Sequence, residues 1–193
     1  MFSIEIIIRK IVTSLTNLFR NLKFESNVRI LFKSGVINDN CTKADICVVT
    51  DRNISDVCEY EGNKYLEKYK KFFAQGDLGY YAYLDGKWAH RTWVTIGPKA
   101  VNRWSHFPPF KLKAREAYCH FAETAPTARG NNIPAAVLSR IAVDLKDKVD
   151  HFYTLVDENN YASCRVNEKA GFIGIKRLKR SGFLWFNVYR ELK

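Results

Sequence analysis

The sequence constrains the fold most strongly where a strand, a tight turn and a helix follow one another without a break. Residues 111–125 predict a long strand, and residues 126–134 read Pro-Thr-Ala-Arg-Gly-Asn-Asn-Ile-Pro. Apolar side chains then recur at helical spacing over residues 134–145, with Pro134 in the first turn, where proline is tolerated. Amides at a helix start, with the positive end of its dipole, favour an anion. The turn therefore predicts either a phosphate or pyrophosphate site, assisted by Arg129, or an ordinary strand-to-helix connection.

The segments around this unit predict further strands and short helices. Two aromatic and β-branched runs meet at Asp85 and Gly86, the strongest short hairpin signal available from a sequence. The predicted elements are a strand over residues 44–50, two short helices within 55–75, hairpin strands 79–84 and 87–96, a strand 151–156, a helix 160–170, and strands 171–179 and 183–189 around Ser181 and Gly182. This order predicts an α/β fold with a mixed sheet covered by helices.

The N-terminal segment has the pattern of an amphipathic helix. Its apolar residues are spaced by four and three: Ile4, Ile8, Ile11, Leu15, Leu18 and Leu22. Charged residues interrupt the run, which is too broken for a membrane span, and no small-residue cleavage site marks a secretory signal. Packing on the domain, a homodimer contact and contact with a membrane surface remain as alternatives. We divide the chain into an N-terminal helix and extension, residues 1–42, in which residues 27–33 predict a strand, and a domain, residues 43–193.

Cysteine content and charge narrow the classes of partner. The five cysteines form no CxxC pair and no metal-ligand spacing, so we expect free thiols, no bound metal and a cytoplasmic, reducing location. The formal net charge of +11 indicates an anionic partner, whether a nucleotide-bearing cofactor, a nucleic acid or a lipid surface.

A second motif follows the strand at residues 151–156. It consists of Asn160, Ser163, Arg165, Glu168, Lys169, Ala170, Gly171 and Phe172. Together with the turn at 126–134, it resembles the GNAT superfamily of N-acetyltransferases, whose later helix starts with Asn and a small residue and ends in Glu-Lys-x-Gly-Phe. The resemblance covers residues 44–190 in element order. It implies a mostly antiparallel central sheet flanked by helices, acetyl-CoA as co-substrate, and transfer of its acyl group to a primary amine.

The resemblance also implies a cofactor site. The long strand and the next one would part, with the pantetheine arm of acetyl-CoA between them. Glu123, Thr124 and Ala125 would line this arm. The pyrophosphate would lie on backbone amides of Arg129, Gly130, Asn131, Asn132 and Ile133. Asn160 and Ser163 would meet the far part of the pantetheine, although Asn160 could equally serve as a helix N-cap.

Three residues depart from the family pattern. Asn132 and Pro134 stand where glycine and then glycine or alanine are usual. Asn132 can adopt a left-handed backbone, whereas Pro134 removes one amide, so we expect weaker CoA binding. Asn167 takes the place of a tyrosine that protonates the leaving thiolate in many relatives. Tyr161, Cys164 or a water would replace that acid, or the thiolate would leave unassisted.

The implied reaction requires a base that takes a proton from the amine, and a backbone amide of the long strand that stabilises the oxyanion. The candidate bases are Glu123, His120 and His90. Alternation along a strand places Glu123 and His120 on opposite faces. Residues 88–93 and the aromatic loop after the hairpin, with Trp104, His106 and Phe107, predict an acceptor pocket.

The hairpin and the phrase Thr-x-Pro-x-x-Arg-Gly resemble GNAT members of surface-polysaccharide gene sets, which implies a small amine such as a nucleotide-linked amino sugar rather than a nucleic acid. The alternative is a GNAT-like module with little or no catalysis that binds nucleic acid or an anionic surface. A homodimer through the N-terminal helix is compatible with both readings.

Overall fold

The computed structural model describes residues 25–98, 110–183 and 186–192. The helix predicted for the N terminus, with its alternatives of packing, a dimer contact or a membrane contact, lies outside the described residues. So does the aromatic loop with Trp104, His106 and Phe107. The elements are β1 Glu25–Ser34, β2 Asp45–Val48, α1 Cys58–Glu61, α2 Leu66–Ala74, β3 Leu78–Leu84, β4 Lys87–Ile96, β5 Glu116–Thr124, α3 Ile133–Leu145, β6 His151–Asp157, α4 Tyr161–Lys169, β7 Phe172–Phe183 and β8 Phe186–Glu191.

The described strands form one eight-stranded sheet in the order β2-β3-β4-β5-β6-β1-β7-β8. Strands β5 and β6 are parallel, and the other neighbours are antiparallel. The predicted α/β fold with a mixed, mostly antiparallel sheet is therefore confirmed. The predicted hairpin is also present, since Asp85 and Gly86 have φ values of 51° and 74°, the positive values that a tight hairpin turn requires.

Strand β1 lies near the middle of the sheet, between β6 and β7. The strand predicted for residues 27–33 falls in the proposed N-terminal extension, but its Leu31 and Phe32 are only 3% and 2% exposed and belong to the core. The division of the chain at residue 43 stays a prediction. The predicted turn at Ser181 and Gly182 is wrong, because these residues pair with Val188 and Asn187 as part of β7.

Helices cover both faces of the sheet. On β3, Tyr80 hydrogen-bonds Asp144 of α3. The next residue, Tyr81, points to the opposite face and donates to the Ile54 carbonyl at 3.0 Å, in the segment that leads into α1. Helix α2 packs on that same face through Phe72 and Tyr69, whose rings contact Trp93. Among the described helices, none is long and apolar enough to span a membrane.

Candidate active site

Strands β5 and β6 part at their carboxyl ends. Their parallel pairing covers residues 116–118 of β5 and 151–153 of β6. Beyond that point β5 continues along β4 as far as Thr124, whereas β6 continues along β1 as far as Asp157. A gap therefore opens between the two strands, as the resemblance implied. Its edges carry backbone groups that a bound chain can reach.

A β-bulge bends β5 where the gap begins. Phe121 has a φ of 53°, and three steps along β5 span two steps along β4, since Arg91 pairs with Glu123 and Trp93 pairs with His120. Arg91 and Trp93 lie on one face of β4, so Glu123 and His120 also share a face. The prediction that these two residues lie on opposite faces is wrong, because the extra residue of the bulge shifts the alternation by one.

Two amides of β5 face the gap. The Ala125 amide donates to the Ala89 carbonyl, on β4, at 2.9 Å. The direction of hydrogen bonding alternates along a strand. The amides of Thr124 and Ala122 therefore point away from β4, into the gap, where they can donate to an extended ligand.

The turn after β5 leads into α3 through two positive φ angles. After a 3-10 turn at Pro126–Ala128, Gly130 has a φ of 86° and Asn132 a φ of 58°. The predicted left-handed backbone of Asn132 is confirmed. The buried Ile133 side chain anchors the first residue of α3 in the core. The first turn of α3 contains a proline and has no side-chain cap, so its amides remain available to an anion.

The segment that follows β1 braces this turn. The Asn132 side-chain amide donates to the Cys41 carbonyl at 2.9 Å, and the Thr42 hydroxyl donates to the Asn131 carbonyl at 2.8 Å. The Asn132 side chain is thus hydrogen-bonded outside the helix, and it does not cap the first turn of α3. No sequence signal identified these contacts, because they join residues about ninety positions apart.

The same segment explains the glycine of the second motif. Gly171 has a φ of 90°, and a Cβ placed there would lie 2.0 Å from the Val36 carbonyl oxygen. The Gly35 amide donates to the Gly171 carbonyl at 2.9 Å. Only glycine fits this close approach between the chain after β1 and the end of α4.

Helix α4, which follows β6, is closed by its own residues. The Asn160 side chain accepts a hydrogen bond from the Ser163 amide at 3.1 Å, so Asn160 is the helix N-cap that the sequence predicts as one alternative. Asn167 is buried, where it accepts from the Thr154 hydroxyl at 2.7 Å and donates to the Ser163 carbonyl at 2.8 Å. Asn167 is thus a packed structural residue.

Both candidate histidines are buried. His90 lies between the hydroxyls of Thr124 and Thr92, each 2.7 Å from a ring nitrogen. Burial, with the Arg91 charge, lowers the pKa of His90 to about 3, so the imidazole stays neutral. His120 contacts the Thr95 hydroxyl at 3.1 Å and the Phe72 ring. Neither position suits a base that must exchange protons with a bound amine.

Glu123 is the accessible candidate. Its side chain is 41% exposed and lies 3.6 Å from the Arg129 guanidinium, which is 63% exposed. Glu123 follows the bulge on the face that α1 and α2 cover, close to the amides that face the gap. The structure therefore brings Glu123, the predicted base, close to Arg129, which is predicted to bind the pyrophosphate, at the end of the gap.

The comparisons with known proteins agree with this geometry at the level of the fold. The chain is similar to a GNAT-family acetyltransferase from Colwellia psychrerythraea, with a TM-score of 0.60 and 13% identity over 89% of this chain and 62% of that chain. It is similar to a GCN5-related N-acetyltransferase-like protein from Streptococcus suis, with a TM-score of 0.56 and 10% identity over 89% of this chain and 67% of that one.

A third similar structure is the glucosamine N-acetyltransferase region of a fungal multi-domain GH3 β-N-acetylglucosaminidase, with a TM-score of 0.62 and 12% identity over 91% of this chain and 23% of that chain. No model of a protein family matches the sequence, and no curated protein matches it significantly. The chain spans less than two thirds of the first of these solved structures. The GNAT fold implied by the two motifs is confirmed.

Proposed function

We propose that this chain, which has the GNAT fold, is an acyl-CoA-dependent N-acyltransferase that transfers an acetyl group to a primary amine. The observation that carries the proposal is the gap between β5 and β6, which ends at a helix whose first turn has no side-chain cap. An extended arm with a pyrophosphate at one end matches both parts. We place the enzyme in the cytoplasm, where its free cysteines stay reduced.

The residues present fit acetyl-CoA. The Thr124 amide would donate to the pantetheine arm, and Ala125, whose amide and carbonyl are hydrogen-bonded within the protein, would only line it. The pyrophosphate would lie on the turn from Arg129 to Ile133, with the Arg129 side chain as a charge-assisted donor. Pro134 takes one donor away from this cradle, which weakens the binding without removing the site. The co-substrate supplies an activated acyl group as a thioester.

The chain's own residues supply the remaining chemistry. The Ala122 amide would donate to the thioester carbonyl oxygen and favour the negative charge that develops there. Glu123 would take the proton from the amine, directly or through a water, since it is the accessible candidate of the three. A thiol of pKa about 8.5 is a fair leaving group without an acid. Cys164 does not supply that acid readily, because burial raises its pKa.

We place a small amine, such as an amino sugar, in the acceptor site. The similar fungal region is named as a glucosamine N-acetyltransferase. The Thr-x-Pro-x-x-Arg-Gly phrase of this chain supports the same class. The net charge of +11 would favour an acceptor that carries phosphate, such as a sugar nucleotide.

Thermal unfolding with ligand tests the proposal. Acetyl-CoA at a hundred times its Kd should stabilise the protein by about 2.7 kcal/mol, or roughly 5–10 °C in Tm. Arg129→Glu should weaken binding about tenfold, because it replaces a charge-assisted donor with a repelling charge. Arg52→Glu, an exposed site beyond β2, is the control for net charge. Pro134→Ala should strengthen binding, because it restores an amide. The absence of any shift at millimolar acetyl-CoA would overturn the proposal.

The net charge and the buried Asn167 favour a second candidate, a GNAT-like module that binds polyanions without catalysis. In that case a nucleic acid or an anionic vesicle should bind in a salt-dependent way, and acetyl-CoA should produce no shift. Release of CoA from acetyl-CoA in the presence of an amine would exclude this candidate.

A further inference from the structure

A buried ion pair lies beneath the bulge of β5. The Arg91 Nε donates to both carboxylate oxygens of Glu61, at 3.1 and 3.0 Å, and the two side chains are only 6% and 7% exposed. The Tyr69 hydroxyl donates to the same carboxylate. Elements β4, α1 and α2 each contribute one member, so the assembly fixes Arg91 from two sides.

A second nitrogen of the Arg91 guanidinium reaches the bulge itself. Its Nη1 donates to the carbonyl oxygen of Phe121. Its guanidinium carbon also lies 4.4 Å from the centre of the Phe121 ring. Arg91 therefore holds both the backbone and the side chain of the residue with the positive φ. A non-glycine residue keeps that backbone only where its surroundings enforce it.

The contact between Arg91 and the Phe121 carbonyl also sets the direction of the next N–H group, that of Ala122. In a planar trans peptide the carbonyl and the following N–H point in opposite directions. Because Arg91 draws the Phe121 carbonyl toward β4 and α1, the Ala122 N–H must point away from them, into the gap. The Ala125 hydrogen bond to β4 gave the same direction by alternation along the strand.

The ion pair is a costly way to fill this space. Two buried charges lose their hydration, and well-packed apolar side chains of similar volume often stabilise a fold equally well. An apolar pair would not hold the Phe121 carbonyl. The arrangement is thus better explained by control of backbone geometry than by stability.

We propose that Arg91, itself fixed by Glu61 and Tyr69, is a positioning residue that aims the Ala122 amide at the thioester carbonyl. This inference rests on the proposed acyl-CoA function. It assigns no contact between Arg91 and a substrate. Arg91 acts through the Phe121 peptide, and its loss should affect the acyl carbonyl rather than the CoA part of the ligand.

The test uses the double variant Arg91→Met/Glu61→Leu, which removes both charges and keeps apolar volume. Its affinity for CoA should stay within about threefold of wild type, whereas the preference for acetyl-CoA over CoA should fall about tenfold, the loss of one hydrogen bond. Acetyl-CoA labelled with ¹³C at the carbonyl gives a direct signal. Wild type should move this resonance downfield, and the double variant should return it close to the free value.

Two further variants make the result specific. Tyr69→Phe removes only the support of Glu61, so a smaller loss of the downfield shift should appear even if the double variant folds poorly. Arg115→Met/Asp150→Leu removes a solvent-exposed ion pair, 51% and 52% exposed, and should leave the resonance unchanged. An unchanged resonance in the double variant would overturn the role of Arg91 while wild-type CoA binding upholds the proposed function. Wild type that binds neither ligand would overturn both.

Discussion

The turns that follow β5 and β6 start alike and end differently. Each leaves the carboxyl end of one of the two parallel strands, and each enters a helix whose N-cap residue is asparagine. Asn160 turns its oxygen back to accept from the Ser163 amide at 3.1 Å. Asn132 instead turns its amide group outward to the Cys41 carbonyl at 2.9 Å. The same residue type closes one helix and leaves the other open.

This difference shows which helix can bind an anion. A capped first turn has already used part of its positive end, whereas an uncapped first turn keeps its donors. The left-handed backbone of Asn132, with its brace from Cys41, carries the chain into α3 without a cap. The residue type at the N-cap therefore does not decide whether a helix start can bind an anion. The direction of the N-cap side chain decides it.

The support beneath the two turns also differs. Behind the open turn, the Thr124 hydroxyl contacts His90, a titratable group. Behind the closed turn, the Thr154 hydroxyl donates to Asn167, which does not titrate. Acid should therefore destabilise the surroundings of Thr124 and His90 before those of Thr154 and Asn167.

The largest expected effect comes from Asn132→Ala. Alanine lacks the polar side chain that lets asparagine tolerate a left-handed backbone, so this conformation should cost about 1–2 kcal/mol in the variant. Loss of the hydrogen bond to Cys41 should cost about 1 kcal/mol more. The free energy of unfolding should therefore fall by about 2–3 kcal/mol. Asn132→Gly is the control, since glycine tolerates this backbone and should lose much less. Urea unfolding of both variants measures the difference. Equal losses would show that the backbone conformation is not what Asn132 provides.

Acid should destabilise the open side through His90. Its folded pKa of about 3 lies below the unfolded value of 6.5, so between these values the unfolded chain binds a proton that the folded protein does not. The contribution of neutral His90 to the free energy of unfolding is therefore present above pH 6.5. It decreases as the pH falls, by about 2 kcal/mol at pH 5. Urea unfolding measures the free energy of unfolding at pH 7.5 and at pH 5.0. The decrease between these two pH values should be smaller in His90→Gln than in wild type by about 2 kcal/mol. An identical loss in both proteins would count against a neutral, buried His90.

The smallest effect should come from Asn160→Ala on the closed side. Removal of this cap should cost about 1 kcal/mol in the free energy of unfolding. The increase in Tm produced by acetyl-CoA should stay as in wild type, if the cap is the whole role of Asn160. A reduced increase would instead support the predicted contact with pantetheine and would make both turns part of the binding site.

Local patterns predicted the local elements. The pair Asp85 and Gly86 identified the hairpin, and the apolar spacing before Leu145 identified α3, because both signals depend on neighbouring residues alone. The left-handed Asn132 followed from the conformational range of asparagine. These are the parts of the fold that a chain specifies within a few residues.

Long-range features escaped prediction for a physical reason. Nothing near residue 25 states that β1 will lie between β6 and β7, since its partners come more than a hundred positions later. The extra residue of the bulge at Phe121 has no signature in the alternation of side chains, so the faces of His120 and Glu123 were misassigned. In the same way, the sequence placed Arg91 only among residues 88–93 of the predicted acceptor pocket, because its partner Glu61 lies on another element.

The position of β1 has a consequence for the order in which the molecule is made. A ribosome releases β1 before any other described strand, yet both neighbours of β1 come from the last third of the chain, with Glu25 opposite Gly182. Until β6 and β7 emerge, β1 presents two unpaired edges, which are templates for association with other chains. Completion of the sheet must therefore wait until β6, β7 and β8 have been synthesised. Slow translation or a shortage of chaperones should reduce the yield of this protein more than that of a fold whose strands pair in sequence order.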